Sequence, residues 1–280
     1  MMCAVSRVLA LLLTPVLSLL LALPLSGAPA SATDGGTDAP VAARDFSVTA
    51  HRGGPTRTLG ENTMAAFRHS LRAGATAIET DVRRTGDDEL VVLHDSGLGR
   101  TTTCTGPIGA WTRRQLDRQC LERTGRRPIP HLEELLAFAR DRAEGGRPFS
   151  LMLELKGSNW STTQVRRVVN LVKDAGLVEL TALSSLRATV LERVRRLSPR
   201  MGNQLIVSGW RKVRETRGRV GGYNVPARLL TEQRVRRLHR GGDVVLGGYA
   251  LTRGEWRTLA RVGADGVVTP DVVAYRAWLG

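Results

Sequence analysis

The chain has 280 residues, and its 41 lysine and arginine side chains outnumber 26 aspartate and glutamate side chains, for a net charge of +15. Nucleic-acid-binding proteins cluster their basic residues and stack bases on aromatic rings. Here the excess is almost all arginine spread over helical patterns, and aromatic residues make up 4% of the chain. The composition therefore argues against a nucleic-acid partner and indicates a globular domain with solvated basic helix faces.

The first 32 residues have the pattern of an export signal. A short basic start precedes the apolar run Val8–Leu25, and Ala30-Ser31-Ala32 supplies a small-residue cleavage site. An uncleaved membrane anchor is the alternative, because the run is just long enough to span a bilayer. Two prolines and the cleavage site argue against it. We expect a cleaved, secreted protein without a stable membrane anchor, with a flexible lead-in at 33–44 and one domain at 45–280.

The rest of the chain alternates between short strand patterns and amphipathic helical patterns. The strand patterns are Phe46–Ala50, Ala77–Val82, Glu89–His94, Phe149–Lys156, Glu179–Leu183, Gln204–Val207, Val220–Val225, Val244–Gly248 and Gly266–Val268. The helical patterns are Asn62–Ala73, Leu132–Ala143, Thr162–Ala175, Leu186–Leu197, Glu232–Arg240 and Arg253–Val262.

This alternation predicts parallel β/α units closed into a TIM-type (β/α)8 barrel. Nine strand patterns compete for eight barrel places, so one of them is an addition or is not a strand. A doubly wound open sheet is the competing fold. It is disfavoured because the glycines of His51-Arg52-Gly53-Gly54 lack the spacing of a phosphate-binding loop.

Two cysteines, Cys104 and Cys120, remain after the predicted processing. In an oxidising compartment such a pair usually forms a disulfide, and closing this loop is worth about 3 kcal/mol in the chain-entropy model. A metal site is a weaker explanation, since no histidine lies beside the cysteines at ligand spacing. We therefore predict a bond between them.

Charged side chains collect at the ends of four predicted strands, which is where a barrel builds its active site. The residues are His51 and Arg52, Glu79 and Asp81, His94 and Asp95, and Glu154 and Lys156. Singly, each has a structural explanation, such as a solvated strand edge or a helix cap. Their joint placement at successive strand ends favours a shared function. Three further histidines, His69, His131 and His239, fit surface or capping positions.

Each group in this set points to one part of a phosphoryl-transfer site. Three carboxylates would repel one another without a cation, and oxygen-only ligands favour Ca²⁺ or Mg²⁺ over zinc. Arg52 and Lys156 suit an anionic group such as phosphate. His51 and His94 can exchange protons near neutral pH. The sequence therefore predicts metal-dependent chemistry on a phosphate.

Five short motifs that contain these residues resemble motifs of the glycerophosphodiester phosphodiesterases. The matching motifs are Ala50-His51-Arg52-Gly53, Glu61-Asn62-Thr63, Glu79-Thr80-Asp81-Val82, Val91-Val92-Leu93-His94-Asp95 and Leu153-Glu154-Leu155-Lys156. The resemblance implies a TIM-like barrel and hydrolysis of glycerophosphodiesters to glycerol 3-phosphate and an alcohol. It also implies one divalent metal ion, with Ca²⁺ slightly favoured over Mg²⁺ for an exported enzyme.

The resemblance also implies a role for each matched residue. His51 and His94 would be the acid–base pair. Glu79, Asp81 and Glu154 would hold the metal, and Arg52 and Lys156 the phosphate. Glu61 would lie near the metal as a further ligand or a supporting group. A small insertion at 96–130, containing both cysteines, would form a rim over the site.

The second half departs from the family pattern. Gly247-Gly248-Tyr249 stands where the family usually has Trp-Thr, and Thr269-Pro270-Asp271 replaces Thr-Asp-x-Pro. Gly60, rather than proline, precedes the Glu-Asn pair. These changes spare the metal and histidine positions and affect the pocket that recognises glycerol or the alcohol.

Other functions remain open at this stage. One is a phospholipase D-like or sphingomyelinase-like barrel enzyme that acts on intact lipid. Another is a catalytically inactive secreted protein that binds phosphates or wall polymers. The nucleophile is open as well. We favour the 2-hydroxyl of the substrate, which would form a cyclic phosphate, over direct attack by water.

Overall fold

The structure is a computed structural model, and it describes residues 46–280. The strands are β1 (Ser47–Ala50), β2 (Ala77–Arg84), β3 (Leu90–Val92), β4 (Ser150–Leu155), β5 (Thr181–Ser185), β6 (Gly202–Ile206), β7 (Gly222–Val225), β8 (Val244–Gly248) and β9 (Gly266–Thr269). All of them except β3 pair in parallel, and the sheet closes because β1 pairs with both β2 and β9. The predicted eight-stranded parallel barrel is confirmed.

The surplus ninth strand is β3, an addition to the barrel. It pairs antiparallel with β2, with Val92 opposite Val82. Directly after β3, the Leu93 amide donates a hydrogen bond to the Asp81 carbonyl over 2.9 Å. The next residue, His94, is thereby delivered to the C-terminal end of β2.

Helices follow the strands around the outside. They are α1 (Met64–Arg72), α2 (Arg113–Gln119), α3 (Leu132–Glu144), α4 (Thr162–Asp174), α5 (Ala188–Leu197), α6 (Trp210–Thr216), α7 (Glu232–His239), α8 (Arg253–Val262) and α9 (Val272–Leu279). The sequence patterns did not reveal α2, α6 or α9. Helices α2 and α6 span seven residues each and carry mostly polar side chains. Helix α9 is short and apolar, so it lacks a clear polar face.

The barrel helices bury one apolar face each against the strands. Helix α4 shows the pattern, because Val165, Val168, Val169 and Val172 are all buried at helical spacing. Ser161 caps its first turn by accepting a hydrogen bond from the Gln164 amide. The resulting core is continuous between strands and helices, so the strand ends at the mouth are rigidly placed.

The insertion between β3 and α3 has an apolar cluster of its own. Leu98, Ile108, Leu116 and Ile129 are buried there with the two cysteines. The predicted disulfide between Cys104 and Cys120 is present, with 5.3 Å between the Cα atoms. A bridge between Thr102 and Glu122 adds a short antiparallel contact. The insertion is therefore a pinned unit beside the barrel mouth.

The predicted signal peptide at 1–32 and lead-in at 33–44 lie outside the described residues. Between residues 46 and 280, no helix combines the length and the apolar character that crossing a bilayer requires.

Candidate active site

Three buried carboxylates face one another at the mouth of the barrel. Glu79 and Asp81 alternate along β2, and the parallel register places Asp81 opposite Glu154 of β4. Each offers an oxygen, and these three oxygens all lie within 4.8 Å of one another. All three residues are buried, with at most 8% of their surface exposed. The structure thus brings together the three predicted metal ligands.

This cluster is electrostatically costly without a cation. Burial raises the pKa of Glu79 well above its ordinary value, and the neighbouring charge of Asp81 raises it further. Asp81 Oδ1 is buried without a hydrogen-bond partner among the described residues, although Lys156 Nζ lies 3.2 Å away. A hard divalent ion would offset the repulsion among the three carboxylates and take Asp81 Oδ1 as a ligand. The donor set fits Ca²⁺ or Mg²⁺.

The His-Arg-Gly motif forms a tight turn at the end of β1. Arg52 adopts φ 50° and Gly53 φ 78°, and a Cβ atom on Gly53 would lie 2.4 Å from Phe67 Cδ1. Glycine is therefore required at that position. The turn lets the Arg52 amide donate a 2.7 Å hydrogen bond to Glu79 Oε2. His51 Nε2 lies 3.9 Å from the same oxygen.

His51 is held as a neutral ring. Burial lowers the pKa of His51 to about 4, and the nearby Arg52 charge lowers it as well. The ring of Tyr249 contacts it edge to face, with 4.6 Å between ring centres. Tyr249 belongs to the segment that departs from the family pattern, and the structure places it directly against a predicted catalytic side chain.

The two predicted phosphate-binding cations border the carboxylates. Lys156 Nζ donates to Glu154 Oε1 over 2.9 Å. Arg52 Nε lies 3.7 Å from Asp81 Oδ2, and its NH1 group donates to Glu61 over 3.2 Å. Glu61 therefore contacts arginine and lies outside the three-carboxylate cluster. Of the two roles expected for Glu61, the contacts match the supporting group.

Asn62 has a part in the site that the sequence did not reveal. Its side-chain amide donates to Asp81 Oδ2 over 2.7 Å, and its Oδ1 accepts from the Thr80 hydroxyl over 2.7 Å. Asn62 thus fixes the orientation of a predicted metal ligand. The Glu61-Asn62-Thr63 motif marked the position, but this contact spans 19 residues of sequence.

His94 is oriented from two sides. Its Nδ1 lies 2.6 Å from Asp95 Oδ1, and Arg83 Nε donates to its carbonyl oxygen over 2.7 Å. With Nδ1 engaged by the carboxylate, Nε2 is left for another partner. A cavity of about 330 Å³ adjoins this ring, between the β1–α1 loop and the insertion. Glu61 and Glu122 are among its lining residues.

The other histidines lie outside this site. His131 is the N-cap residue of α3, and its Nε2 lies 2.5 Å from Asp117 Oδ1. His239 ends α7 and pairs with Asp265 over 3.0 Å. His69 lies in the last turn of α1. His69 and His239 lie at helix ends, as expected, whereas the His131 side chain makes no capping hydrogen bond and pairs with Asp117 instead.

The fold and the site define the structural class of this protein. It is a (β/α)8 barrel with carboxylates, cations and two histidines at its mouth. The pattern of the glycerophosphoryl diester phosphodiesterase family matches residues 51–274. The chain belongs to that family.

Individual relatives agree with this assignment. The glycerophosphodiester phosphodiesterase of Bacillus altitudinis is 40% identical over 116 residues, which cover 40% of this chain and 45% of that protein. That of Caldanaerobacter subterraneus is 28% identical over 160 residues, which cover 55% of this chain and 63% of that protein. These matches thus span less than two thirds of either relative.

Solved structures share the fold. An Oleispira antarctica phosphodiesterase, solved with the product sn-glycerol-3-phosphate, matches with a TM-score of 0.71 and 24% identity over 83% of this chain and 96% of that one. A glycerophosphodiester phosphodiesterase from Agrobacterium tumefaciens matches with a TM-score of 0.67 and 23% identity over 82% of this chain and 99% of that one.

Proposed function

We propose that this protein hydrolyses glycerophosphodiesters to glycerol 3-phosphate and an alcohol, with one divalent metal ion as cofactor. The observation that carries the proposal is the buried cluster of Glu79, Asp81 and Glu154 with His51 beside it at the barrel mouth. Family membership supports the reaction class, and the Oleispira relative was solved with glycerol 3-phosphate.

Glu79, Asp81 and Glu154 would hold the metal ion, either Ca²⁺ or Mg²⁺, and we favour Ca²⁺ for an exported enzyme. When bound, the ion supplies positive charge against the phosphoryl oxygens. Asn62 keeps Asp81 in place through its 2.7 Å hydrogen bond.

The two histidines would move the protons. His51 is neutral at pH 7, because its pKa is about 4, so it can accept a proton from the attacking hydroxyl oxygen. His94, oriented by Asp95, would donate a proton to the alcohol oxygen as its bond to phosphorus breaks. On the favoured route the attacking oxygen is the 2-hydroxyl of the substrate, so its new bond to phosphorus gives a cyclic phosphate and the alcohol leaves neutral. Water then attacks the same phosphorus, with His94 accepting its proton and His51 returning a proton to the 2-oxygen as the ring bond breaks, which gives glycerol 3-phosphate.

Arg52 and Lys156 would bind the phosphoryl oxygens. Both cations lie next to the carboxylates, at 3.7 Å and 3.2 Å from the Asp81 oxygens. Replacing Lys156 with alanine should mainly weaken binding of the phosphate and stabilisation of charge in the transition state. An unchanged kcat/KM in Lys156→Ala would show that this lysine takes no part.

The decisive experiment uses the purified chain and two substrates, glycerophosphocholine and lysophosphatidylcholine. Glycerol 3-phosphate and choline should appear from the first substrate when Ca²⁺ or Mg²⁺ is present. Excess chelator should stop the reaction, and added metal should restore it. Preference for the lysolipid would indicate a lipid-directed phosphodiesterase, and no turnover of either would indicate a binding protein.

We also propose that the protein is exported, with cleavage after Ala32. The Cys104–Cys120 disulfide supports this proposal, because such bonds persist in oxidising compartments. N-terminal sequencing of the secreted protein should find Thr33 as the first residue. A secreted or cell-associated form that still begins at Met1 would contradict the proposal.

A further inference from the structure

A series of charged side chains connects His94 with Arg52, two of the predicted functional residues. It begins at His94, passes through Asp95 to Arg100 of the insertion, and continues through Glu61 to Arg52. The members come from the end of β1, the β1–α1 loop, the residues after β3 and the insertion. Arg100 and Glu61 are 39 residues apart in the chain.

Arg100 is the member that holds this series together. Its Nε donates to Asp95 Oδ2 over 2.5 Å. Its NH1 and NH2 groups donate to the two oxygens of Glu61 over 2.9 Å and 2.6 Å. The planar guanidinium therefore binds two carboxylates at once, a geometry that a lysine ammonium cannot reproduce.

Each carboxylate that Arg100 binds also contacts a side chain with a proposed role in the reaction. The other oxygen of Asp95 contacts His94 Nδ1 at 2.6 Å, and Glu61 accepts from Arg52 NH1 at 3.2 Å. The hydrogen bonds to Arg100 keep the pKa values of Asp95 and Glu61 below their ordinary ranges. Both carboxylates are thus charged when they bind their second partners.

We propose that Arg100 is a positioning residue through which the insertion sets the orientation of His94. It fixes Asp95 against His94 Nδ1 and so directs Nε2 to the leaving alcohol oxygen. The inference rests on the proposed function and adds a role for the insertion in the chemical step. Arg100 itself need not touch the substrate.

The alternative is that Arg100 only attaches the insertion to the barrel. The two roles differ in how activity depends on the leaving group. A choline alkoxide needs a proton as it leaves, whereas p-nitrophenolate leaves without one. A misplaced acid therefore slows the first reaction more than the second.

The test compares wild type with Arg100→Lys on two diesters that share the glycerol 3-phosphate part. One is glycerophosphocholine, and the other is the p-nitrophenyl ester of glycerol 3-phosphate. Arg100→Lys keeps the charge and loses the two-carboxylate geometry. We expect kcat/KM for glycerophosphocholine to fall about 10- to 100-fold and kcat/KM for the p-nitrophenyl ester to fall less than about threefold, because kcat/KM reports the step in which the alcohol leaves.

Arg123→Lys is the matched control. Arg123 also lies in the insertion, and its side chain donates to the Gly99 carbonyl over 3.2 Å and 2.8 Å. In residues 46–280, no hydrogen bond or ion pair joins Arg123 to Asp95 or Glu61. Arg123→Lys should change both substrates by the same small factor.

A second arm tests whether Arg100 acts through Asp95. Asp95→Asn should show the same leaving-group dependence, and the double variant Asp95→Asn/Arg100→Lys should be no slower than Asp95→Asn alone. Losses that multiply in the double variant would overturn the proposal.

The proposal is also overturned if Arg100→Lys slows both substrates equally or neither. Wild-type protein that turns over neither diester with Ca²⁺ or Mg²⁺ would instead contradict the proposed function. Circular dichroism and thermal unfolding of each variant check that its fold is retained. If Arg100→Lys does not fold, Arg100→Gln replaces it in the same comparison of the two substrates.

Discussion

One row of side chains around the barrel changes character halfway along. The parallel register runs from Asp81 on β2 to Glu154 on β4, then to Ser184 on β5 and Gln204 on β6. The first two residues are acids, and the next two are an uncharged hydroxyl and amide. All four are buried.

The two sides also differ in how they are bonded. Glu154 accepts a hydrogen bond from Lys156, and Asp81 accepts one from Asn62. These hydrogen bonds hold the carboxylates of the charged side in place. Asp81 Oδ1 lacks a hydrogen-bond partner but lies 3.2 Å from the charged Lys156 Nζ. On the uncharged side, Ser184 Oγ and Gln204 Oε1 are buried without a hydrogen-bond partner in the region from residue 46 onward. The proposed chemistry lies on the charged side, so we expect the two sides to differ in their sensitivity to substitution.

The largest expected effect comes from the charged side. Glu79→Gln removes one of three carboxylates without changing its size, so Mg²⁺ or Ca²⁺ binding should weaken more than about 100-fold, and activity should fall in parallel. Isothermal titration and kcat/KM on glycerophosphocholine measure the two effects. Gln204→Met, on the uncharged side, should lower metal affinity and kcat/KM by less than about tenfold. Equal losses would remove the distinction between the sides.

Alanine at either histidine should be nearly as severe. His51→Ala and His94→Ala should each lower kcat about 10²- to 10⁴-fold, because each removes one proton transfer. His69→Ala is the matched control on α1, and it should retain wild-type kcat. Wild-type activity in either active-site variant would remove that histidine from the mechanism.

Much of this charged side could be predicted because the spacing of residues within single strands determines it. Glu79 and Asp81 share a strand face by their spacing, and strand ends of a parallel barrel meet at one mouth. The barrel followed from strand–helix alternation, whose patterns recur throughout the chain.

The rest depended on contacts between distant residues. The Asn62–Asp81 hydrogen bond joins the β1–α1 loop to strand β2, and the Arg100–Glu61 hydrogen bonds join that loop to the insertion; sequence spacing predicts neither contact. Likewise, nothing in the pattern of β3 distinguished an added antiparallel strand from a barrel strand. Pairing partners, and not the apolar pattern, make that difference.

The disulfide should stabilise the insertion, and through it the charged side. Cys104→Ala/Cys120→Ala should lower the free energy of unfolding by about 3 kcal/mol in the chain-entropy model. Urea unfolding of the variant and of wild type measures this difference. If the insertion positions His94, the variant should also lose more kcat/KM on glycerophosphocholine than on the p-nitrophenyl ester. Unchanged unfolding would show that the bond contributes nothing to the folded state.

Glu122 in the insertion offers a smaller, pH-dependent test. Burial raises the pKa of Glu122 to about 7, above the value near 4.5 of an unfolded chain. Its contribution to stability is therefore complete below pH 4.5 and is lost as pH rises through 7. Glu122→Gln should match the wild-type Tm at pH 4.5 and exceed it at pH 8. A Tm difference that does not change with pH would contradict the raised pKa.

The most direct test of the central claim is ³¹P NMR of glycerophosphocholine incubated with the purified protein. We predict that the glycerol 3-phosphate signal grows with Ca²⁺ or Mg²⁺, stops with excess chelator and is absent with Glu79→Gln. Equal product formation in chelator, or none with either metal, would contradict a metal-dependent glycerophosphodiesterase.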